Sequence, residues 1–465
     1  FTDDEVRGLI GMIRTSGKQP REQFDTVRAL TGALEGQIPT PSQFKHLADV
    51  FGKSLVSGLL KRRPAETRVG SELLSLANLP RAVVASIDLS APLNQGVLLV
   101  PAHLREVAPG MVAMSRAWAS ESFTRQVDQV IRTHPNFDKF ITSGGFLAER
   151  AGALAAREEA FMTRFAGLIP GLKQSERAYV TYLNKLRFDV WNNVYSGWTR
   201  SGKVITDRDA RELALYVNRA TGRGGLGPLE KWAPVLNAGF FSPRLQAARI
   251  TLPLSLAGSR QVSWMAARDL AAFIATGVGI LSLLKLSGQA DVTIDPRSTD
   301  FGKILVGKTR LDFWGGFQQY ARFGAQFITG QKKTTSARLV VPLPRSAAFG
   351  RFIQSKLSPA TGLGVDIYRG ETFLGEELEA SKRFIGKQAM DRLMPFFIQD
   401  VKKATEQEGL RGGLTVTPAL FGVRALTYAT ADDAARDRFG VPYTELWPFE
   451  KQLAIAIYQH SADRP

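Results

Sequence analysis

The chain has 465 residues, of which 44 % are apolar and 22 % charged, a composition that excludes a disordered chain and suffices for two or three hydrophobic cores. It contains no cysteine, which excludes disulfides and thiolate metal sites, and its four histidines, at positions 46, 103, 134 and 460, are too scattered for a local metal site. We therefore expect no metal and no cofactor. Because the first residue is Phe1 and no signal-peptide pattern follows, we expect a processed segment or part of a longer polypeptide.

The net charge of +17 is concentrated beyond residue 150. Residues 1–150 carry 18 basic and 15 acidic side chains, residues 151–299 carry 19 and 11, and residues 300–465 carry 23 and 17. A basic surface attracts nucleic-acid phosphates and anionic lipid headgroups through the same Coulomb attraction. The alternative is that this charge only keeps the protein soluble.

The clearest predicted helix covers Ser175 to Trp198. Apolar side chains recur there every three or four residues, which is the period of one helix face: Tyr179, Tyr182, Leu183, Leu186, Val190 and Val194. A second stripe on the same segment is aromatic and consists of Phe188, Trp191, Tyr195 and Trp198. Such a stripe could stack on nucleic-acid bases, but burial in a core is the more economical interpretation.

Capping residues, prolines and glycines mark further helices. Ser and Thr hydroxyls accept from the free N–H groups of a first helical turn, proline fits the first helical position, and glycine readily adopts the left-handed conformation that ends a helix. The predicted helices are Thr206 to Gly222, Ser242 and Pro243 onward, Phe317 to Gly330, Ser381 to Gly409, Thr430 to Gly440, and Pro448 onward. Asp209 and Asp432 lie in the first turns of the helices that begin at Thr206 and Thr430, and Pro395 predicts a kink in the helix from Ser381.

Strand patterns are short and few. Lys303 to Val306 and Thr309 to Phe313 surround Gly307 and Lys308, which predicts a hairpin with a two-residue turn. Arg338 to Pro344 predicts a second hairpin at a sheet edge, because its prolines cannot donate to a neighbouring strand. We therefore predict a mainly α fold, an irregular multi-helix assembly with one or two short β-hairpins.

The same patterns divide the chain into four predicted regions. These are an N-terminal helical region at 1–150, a helical middle region at 151–290 with an apolar helix at 270–284, a small β-hairpin and helix insert at 291–345, and a C-terminal helical region at 346–465.

The segment Leu270 to Leu284 contains no charged residue. A helix of this length covers roughly 22 Å, less than the roughly 30 Å of hydrocarbon in a bilayer, so we predict a buried core helix. Gly277 and Gly279 would let a neighbouring helix approach closely, and Arg260 and Arg268 could lie at headgroup level. Membrane insertion after a change of state stays open as the alternative.

Two glycine motifs resemble nucleotide-binding loops. Gly302, Gly307, Lys308 and Thr309 match G-x-x-x-x-G-K-[ST], but a phosphate loop needs a helix after the threonine, whereas strand-like residues follow here. We therefore predict a hairpin turn at this position and no nucleotide site.

The second motif, G-x-G-x-x-G, is formed by Gly222, Gly224 and Gly227. A dinucleotide site needs a strand before the glycines, whereas this motif follows a predicted helix, so we predict a helix end with a flexible turn. Because Arg219 and Arg223 flank the glycines, exposed N–H groups there could hold a nucleic-acid phosphate.

No catalytic pattern was found: there is no hydrolase elbow, no metal-binding His-Glu helix and no deaminase signature. We therefore predict a non-enzymatic protein. Between Lys303 and Lys356 the chain has ten basic residues and one acidic residue, Asp312. This stretch and the Arg219 to Arg268 segment predict a nucleic-acid interface that contains Arg219, Arg223, Arg244, Arg249, Lys303, Lys308, Arg310, Arg322, Lys332, Lys333, Arg338 and Arg345.

Several separated strings between Pro39 and Tyr428 carry a resemblance to a known family. They are the segments Asp88–Gly96, Arg157–Met162, Ser175–Val180, Tyr216–Gly224, Asn237–Arg244, Asp295–Lys303, Thr309–Gln319 and Ser355–Pro359. Together they resemble the large polyvalent protein-associated domains of tailed bacteriophages, prophages and mobile elements.

The resemblance implies a long, often multi-domain chain that travels with the genome or is ejected from the virion, without an agreed active site. The expected function is that of a non-catalytic internal or ejected virion protein. Its expected partners are portal, tail or internal core subunits, DNA, further copies in a homo-oligomer, and transiently a membrane. The alternatives are a non-catalytic module of a large polyvalent enzyme and a membrane-conduit subunit. The expected location is the virion, with delivery into the host cell.

Overall fold

The computed structural model describes residues 3–18, 22–23, 26–27, 29–31, 41–52, 91–148, 172–288, 290–334, 339–369, 401–406, 409 and 423–462. Contacts divide the chain into two compact units, one formed by residues 1–79 and 148–173 and the other by residues 80–147 and 174–465. The fold is mainly helical with a few short antiparallel strands, which confirms the predicted fold class. The division into four regions stays a prediction.

The first unit contains helices α1 (Asp3–Arg14) and α2 (Pro41–Phe51). Its small core consists of Ile13, Ala29, Leu30 and Leu47. At its surface, Lys18 Nζ lies 3.1 Å from Asp49 Oδ2.

The remaining helices lie in the second unit, except for the first two residues of α7. They are α3 (Ala91–Gly96), α4 (Leu104–Ala119), α5 (Glu121–Arg132), α6 (Phe137–Thr142), α7 (Leu172–Arg200), α8 (Asp207–Ala220), α9 (Ala233–Gly239), α10 (Pro243–Thr251), α11 (Arg260–Leu286), α12 (Gln318–Thr329), α13 (Arg345–Gln354), α14 (Pro359–Arg369), α15 (Ala431–Phe439) and α16 (Pro448–Ala462).

Helix α7 is the centre of the main core, as its double stripe predicts. Trp191 is fully buried, stacks on Tyr195 at 4.7 Å and donates from Nε1 to the Ala210 carbonyl at 3.2 Å. Phe188 is buried in the same cluster, and Trp198 packs against it. The aromatic stripe is therefore core, and the base-stacking alternative does not apply to it.

The predicted helix ends are largely confirmed. Thr206 with Asp209 and Thr430 with Asp433 form complete capping boxes, and Gly330 and Gly440 end their helices in the left-handed conformation. The partner of Thr430 is therefore Asp433 and not the predicted Asp432. The start of α10 at Pro243 is also confirmed.

The predicted capping role of Ser242, by contrast, is wrong. Ser242 has a left-handed backbone with φ of 53°, and its hydroxyl makes no cap hydrogen bond. The predicted helix from Ser381 to Gly409 falls mostly outside the described residues.

A four-stranded antiparallel sheet holds the predicted hairpin. Its strands are β1 (Asp291–Val292), β2 (Ile304–Val306), β3 (Thr309–Asp312) and β6 (Arg424–Thr427), in the order β1-β2-β3-β6. Val306 pairs with Thr309 across the two-residue turn, where Gly307 has φ of 58°. The hairpin is confirmed, and β1 and β6 on its two sides were not predicted.

The second hairpin differs from its prediction. Strands β4 (Gln331–Lys333) and β5 (Val340–Pro342) pair in a separate two-stranded sheet. The predicted segment from Arg338 to Pro344 therefore supplies one strand of this hairpin, and Gln331–Lys333, which was not predicted as a strand, supplies the other.

A buried polar cluster fixes the inner half of α11 to its neighbours. Asp269 is fully buried, and its Oδ2 lies 2.8 Å from both His103 Nε2 and the Tyr216 hydroxyl. Its Oδ1 accepts from Arg268 Nη2 at 2.6 Å. Because Tyr216 is on α8 and His103 directly precedes α4, the cluster joins α11 to these two helices.

The prediction of a buried core helix at 270–284 needs correction. Helix α11 extends over 27 residues, and Gly277 is the last buried residue along it. Beyond that point Val278, Leu283 and Leu286 are 51 %, 70 % and 84 % exposed. Of the described helices, this one alone is long and apolar enough to cross a membrane by length and composition.

Candidate nucleic-acid interface

The phosphate-loop match is a strand turn with no free groups for a nucleotide. Thr309, which would bind the magnesium ion of a phosphate loop, is fully buried, and its hydroxyl lies 2.8 Å from Thr427 Oγ1 on β6. Lys308 Nζ lies 3.6 Å from Asp437 Oδ2. The sequence predicted the hairpin, and the pairing of Thr309 with β6 is the additional reason why this segment cannot surround a phosphate.

We expect no saturable binding of magnesium-ATP by this chain in isothermal titration calorimetry, because Thr309 is occupied by the sheet. The Lys308→Ala variant is expected to give the same featureless titration. Magnesium-dependent ATP binding that disappears in this variant would contradict the assignment.

Three of the predicted DNA-binding residues are structural. Arg249, Lys303 and Arg310 are only 6 %, 7 % and 1 % exposed. Because buried side chains do not reach a phosphate backbone, the expectation that these three contact DNA is corrected. Lys356, which ends the basic stretch, is also buried and lies 5.0 Å from the centre of the Phe352 ring.

Arg249 shows what these buried charges do. Its Nη2 donates to the carbonyls of Asn94 at 2.7 Å and Gly315 at 2.9 Å, and its guanidinium lies 3.6 Å from the centre of the Phe317 ring. Burial lowers the pKa of Arg249. The side chain thus joins α3 to the loop between β3 and α12, which contains both Gly315 and Phe317.

Arg310 joins the hairpin to the C-terminal part of the chain in the same way. It lies 3.7 Å from Asp300 and 3.6 Å from Asp433, and its guanidinium is 4.1 Å from the Tyr428 ring centre. Lys303 Nζ reaches the same Asp300 at 3.4 Å. These charges are paired with carboxylates inside the fold.

The arginines near the G-x-G-x-x-G motif also have partners within the protein. Arg219 donates to Ser255 Oγ at 3.1 Å, Arg223 lies 3.8 Å from the centre of the Phe146 ring, and Arg244 pairs with Glu230. Burial lowers the pKa of Arg223, and the neighbouring charge of Arg244 lowers it further.

Three N–H groups of the motif are occupied as well. Those of Gly222, Arg223 and Gly224 donate to the carbonyls of Arg219, Asn218 and Arg244. They are therefore not available to the phosphate that the sequence suggested.

Three of the remaining predicted residues, Lys332, Lys333 and Arg345, lie on β4 and α13. Together with α12 and β5, these elements form a surface that we call the basic–aromatic surface. Arg345 is exposed and donates from Nε to the Phe327 carbonyl at 3.2 Å. Desolvation and the nearby charge of the exposed Arg351 lower the pKa of Lys332. Lys333 follows on the same strand.

Aromatic rings occupy the centre of this surface. Phe323 stacks on Phe352 with ring centres 4.4 Å apart and lies 5.7 Å from Phe327 and 6.5 Å from Phe349. Phe349 is 54 % exposed and Phe327 is 39 % exposed. Exposed rings next to basic side chains are the arrangement that proteins use to stack bases while they hold the phosphate backbone.

Negative charge is missing from this part of the chain, since no Asp or Glu occurs between Phe313 and Val365. The sequence predicts Lys332, Lys333 and Arg345 as interface residues, but Arg351 was not predicted. The signal for Arg351 was present in the acid-free stretch, whereas the exposure of Phe327 and Phe349 could not be recognised before the packing of α12 on α13 was known.

Three further predicted residues lie elsewhere or cannot be placed. Lys308 is on the hairpin turn described above. Arg322 is half-buried and donates to the Thr299 carbonyl at 3.3 Å, and burial lowers its pKa. Arg338 lies outside the described residues.

The described residues contain no group of three or more His, Asp or Glu side chains that could hold a metal ion. Comparison with models of known protein families, with curated proteins and with solved structures finds no match to the chain. The likeness to large polyvalent protein-associated domains stays a prediction.

Proposed function

We propose that this protein is a non-catalytic internal or ejected component of a phage virion that contacts packaged DNA through the basic–aromatic surface. The observation that carries the proposal is that Lys332, Arg345 and Arg351 lie on the same surface as two exposed phenylalanines, within a stretch of chain that contains no Asp or Glu. Virion subunits, including further copies of the chain, are the proposed protein partners.

The proposed contact is mainly electrostatic and independent of sequence. Each phosphate neutralised by a basic side chain releases condensed counterions, so the affinity falls steeply as salt increases. The rings of Phe327 and Phe349 can stack on unpaired bases, which strengthens binding to single-stranded DNA relative to duplex DNA. Binding of this kind neutralises packaged DNA without reading its bases.

The test is a salt series of fluorescence-anisotropy titrations with a labelled duplex and a labelled single strand. The variant K332Q/R345Q/R351Q should reduce the slope of log affinity against log salt by about 2 to 3 for the duplex, about one for each lost phosphate contact. It should also weaken binding by tenfold or more at low salt.

A matched control removes three exposed charges from elsewhere in the same unit, in the variant R105Q/K203Q/R211Q. It changes the net charge equally and should keep the wild-type slope. Equal losses in both variants would mean that only the overall charge attracts DNA, and the proposed interface would be wrong. An F327A/F349A variant should weaken single-strand binding more than duplex binding.

A further inference from the structure

The outer half of α11, from Ile274 to Leu286, is an apolar surface that the described fold leaves uncovered. Ile274 and Val278 are 48 % and 51 % exposed, and Ile280, Leu283 and Leu286 are 39 %, 70 % and 84 % exposed. Five large aliphatic side chains exposed within four helical turns form a patch of the kind that marks an interaction site.

The inner half of α11 is held in the protein. Val262, Met265 and Asp269 are buried, and Phe273 packs edge-on against Trp314 with ring centres 5.4 Å apart. Trp314 lies directly on Gly277, where an added Cβ would come within 2.2 Å of its ring. The helix therefore cannot leave the core as a whole while the unit stays folded.

The length of the free part decides between crossing a membrane and lying on it. From Ile274 to Leu286 the helix covers roughly 20 Å, which is less than the roughly 30 Å of a hydrocarbon layer. The folded protein can thus insert this segment into one leaflet, but it cannot span the bilayer with it.

The distribution of the exposed side chains identifies the kind of partner. At 100° per residue, the five aliphatic residues cover roughly two-thirds of the helix circumference. A second helix, including one from another copy of this chain, would cover only a narrow seam of that surface. Lipid chains would cover all of it, because they adapt to any helix face.

The charges around the segment favour an anionic lipid surface. The outer half of α11 contains no acidic residue, and its one charged side chain, Lys285, is exposed near the end of the helix. A lysine at this position can extend its ammonium group to the headgroups while its methylene chain stays among the lipids. We propose that the outer half of α11 anchors the protein in the outer part of an anionic bilayer.

The test is flotation of the full chain with vesicles of phosphatidylcholine and phosphatidylserine. The L283Q/L286Q variant should lower the partition constant by about tenfold or more, because both exposed leucines would enter the hydrocarbon. The V204Q/L229Q variant is the control, since Val204 and Leu229 are 84 % and 52 % exposed at other places. This control should float like the wild type. Circular dichroism checks that the wild type and both variants are equally folded.

A second measurement shows which part of the protein enters the bilayer. Because the chain has no cysteine, L283C and V204C each take a single environment-sensitive dye. Vesicles should shift the emission of the dye at position 283 to shorter wavelength and leave that at position 204 unchanged.

Absence of wild-type flotation, or equal shifts at both positions, would overturn the proposal. Self-association without vesicles that disappears in L283Q/L286Q would also overturn it and would assign the surface to a second copy. DNA affinity of L283Q/L286Q should equal that of the wild type, so the outcome is independent of the proposed function.

Discussion

Replacing Asp269 with alanine is expected to lower the free energy of unfolding by about 3 to 5 kcal/mol, the usual effect of removing one partner from a buried charge pair. The fully buried carboxylate accepts hydrogen bonds from His103, Tyr216 and Arg268, and all three donors would lose their acceptor. Urea denaturation followed by circular dichroism measures the change. The matched control is Asp437→Ala, because Asp437 is 69 % exposed and its pair with Lys308 should contribute less than about 1 kcal/mol.

The same site predicts a pH dependence. Burial alone would raise the pKa of Asp269, but the hydrogen bonds and charge of His103, together with bonds from Arg268 and Tyr216, outweigh burial and lower it. A carboxyl with a lowered folded-state pKa stabilises the fold above its unfolded pKa of about 3.9, and this contribution is lost as the pH falls through the folded value. The stability gap between wild type and Asp269→Ala should therefore narrow below about pH 4. A gap that stays constant to lower pH would show that the charge of Asp269 is not responsible.

Replacing Gly224 with alanine is expected to destabilise the second unit by about 3 kcal/mol, the upper part of the range for overpacking. An added Cβ would lie 2.2 Å from the Ala248 nitrogen and 2.6 Å from the Ala247 carbonyl carbon. Both atoms belong to the backbone of α10, so no side-chain rotation can relieve the clash. Thermal unfolding monitored by circular dichroism would measure the loss.

The adjacent glycine provides the control for this experiment. Gly225 has no atom within 4 Å of an added Cβ, so Gly225→Ala should change the stability by less than about 1 kcal/mol. Equal effects of the two substitutions would contradict the close-packing role of Gly224. This role also explains the middle glycine of G-x-G-x-x-G without a dinucleotide, since it lets α10 approach the turn after α8.

The elements that sequence reasoning predicted correctly have local causes. Helix α7 follows from apolar spacing alone, and the hairpin follows from strand-like residues around Gly307 and Lys308. The capping box at Thr206 uses groups three residues apart, so its geometry is contained in four consecutive residues. Such features need no knowledge of the rest of the chain.

The errors concern contacts between distant residues. Arg249 and Arg310 look like surface charges in the sequence, but they are buried because carbonyls and carboxylates from remote segments surround them. The exposure of Leu283 could not be predicted either, since an apolar helix segment looks the same whether neighbours cover it or not. The basic–aromatic surface was predicted in part, because its acid-free composition is local while its rings meet only through packing of α12 on α13.

The pairing of β3 with β6 has a consequence for synthesis of the protein. Thr309 and Thr427, which share a hydrogen bond across these strands, are 118 positions apart. After the β2–β3 hairpin has left the ribosome, more than a hundred further residues must be synthesised before β6 can pair with the open edge of β3. Strand pairing between such distant segments forms slowly. Nascent or truncated chains that lack β6 would expose that edge and would be prone to aggregation.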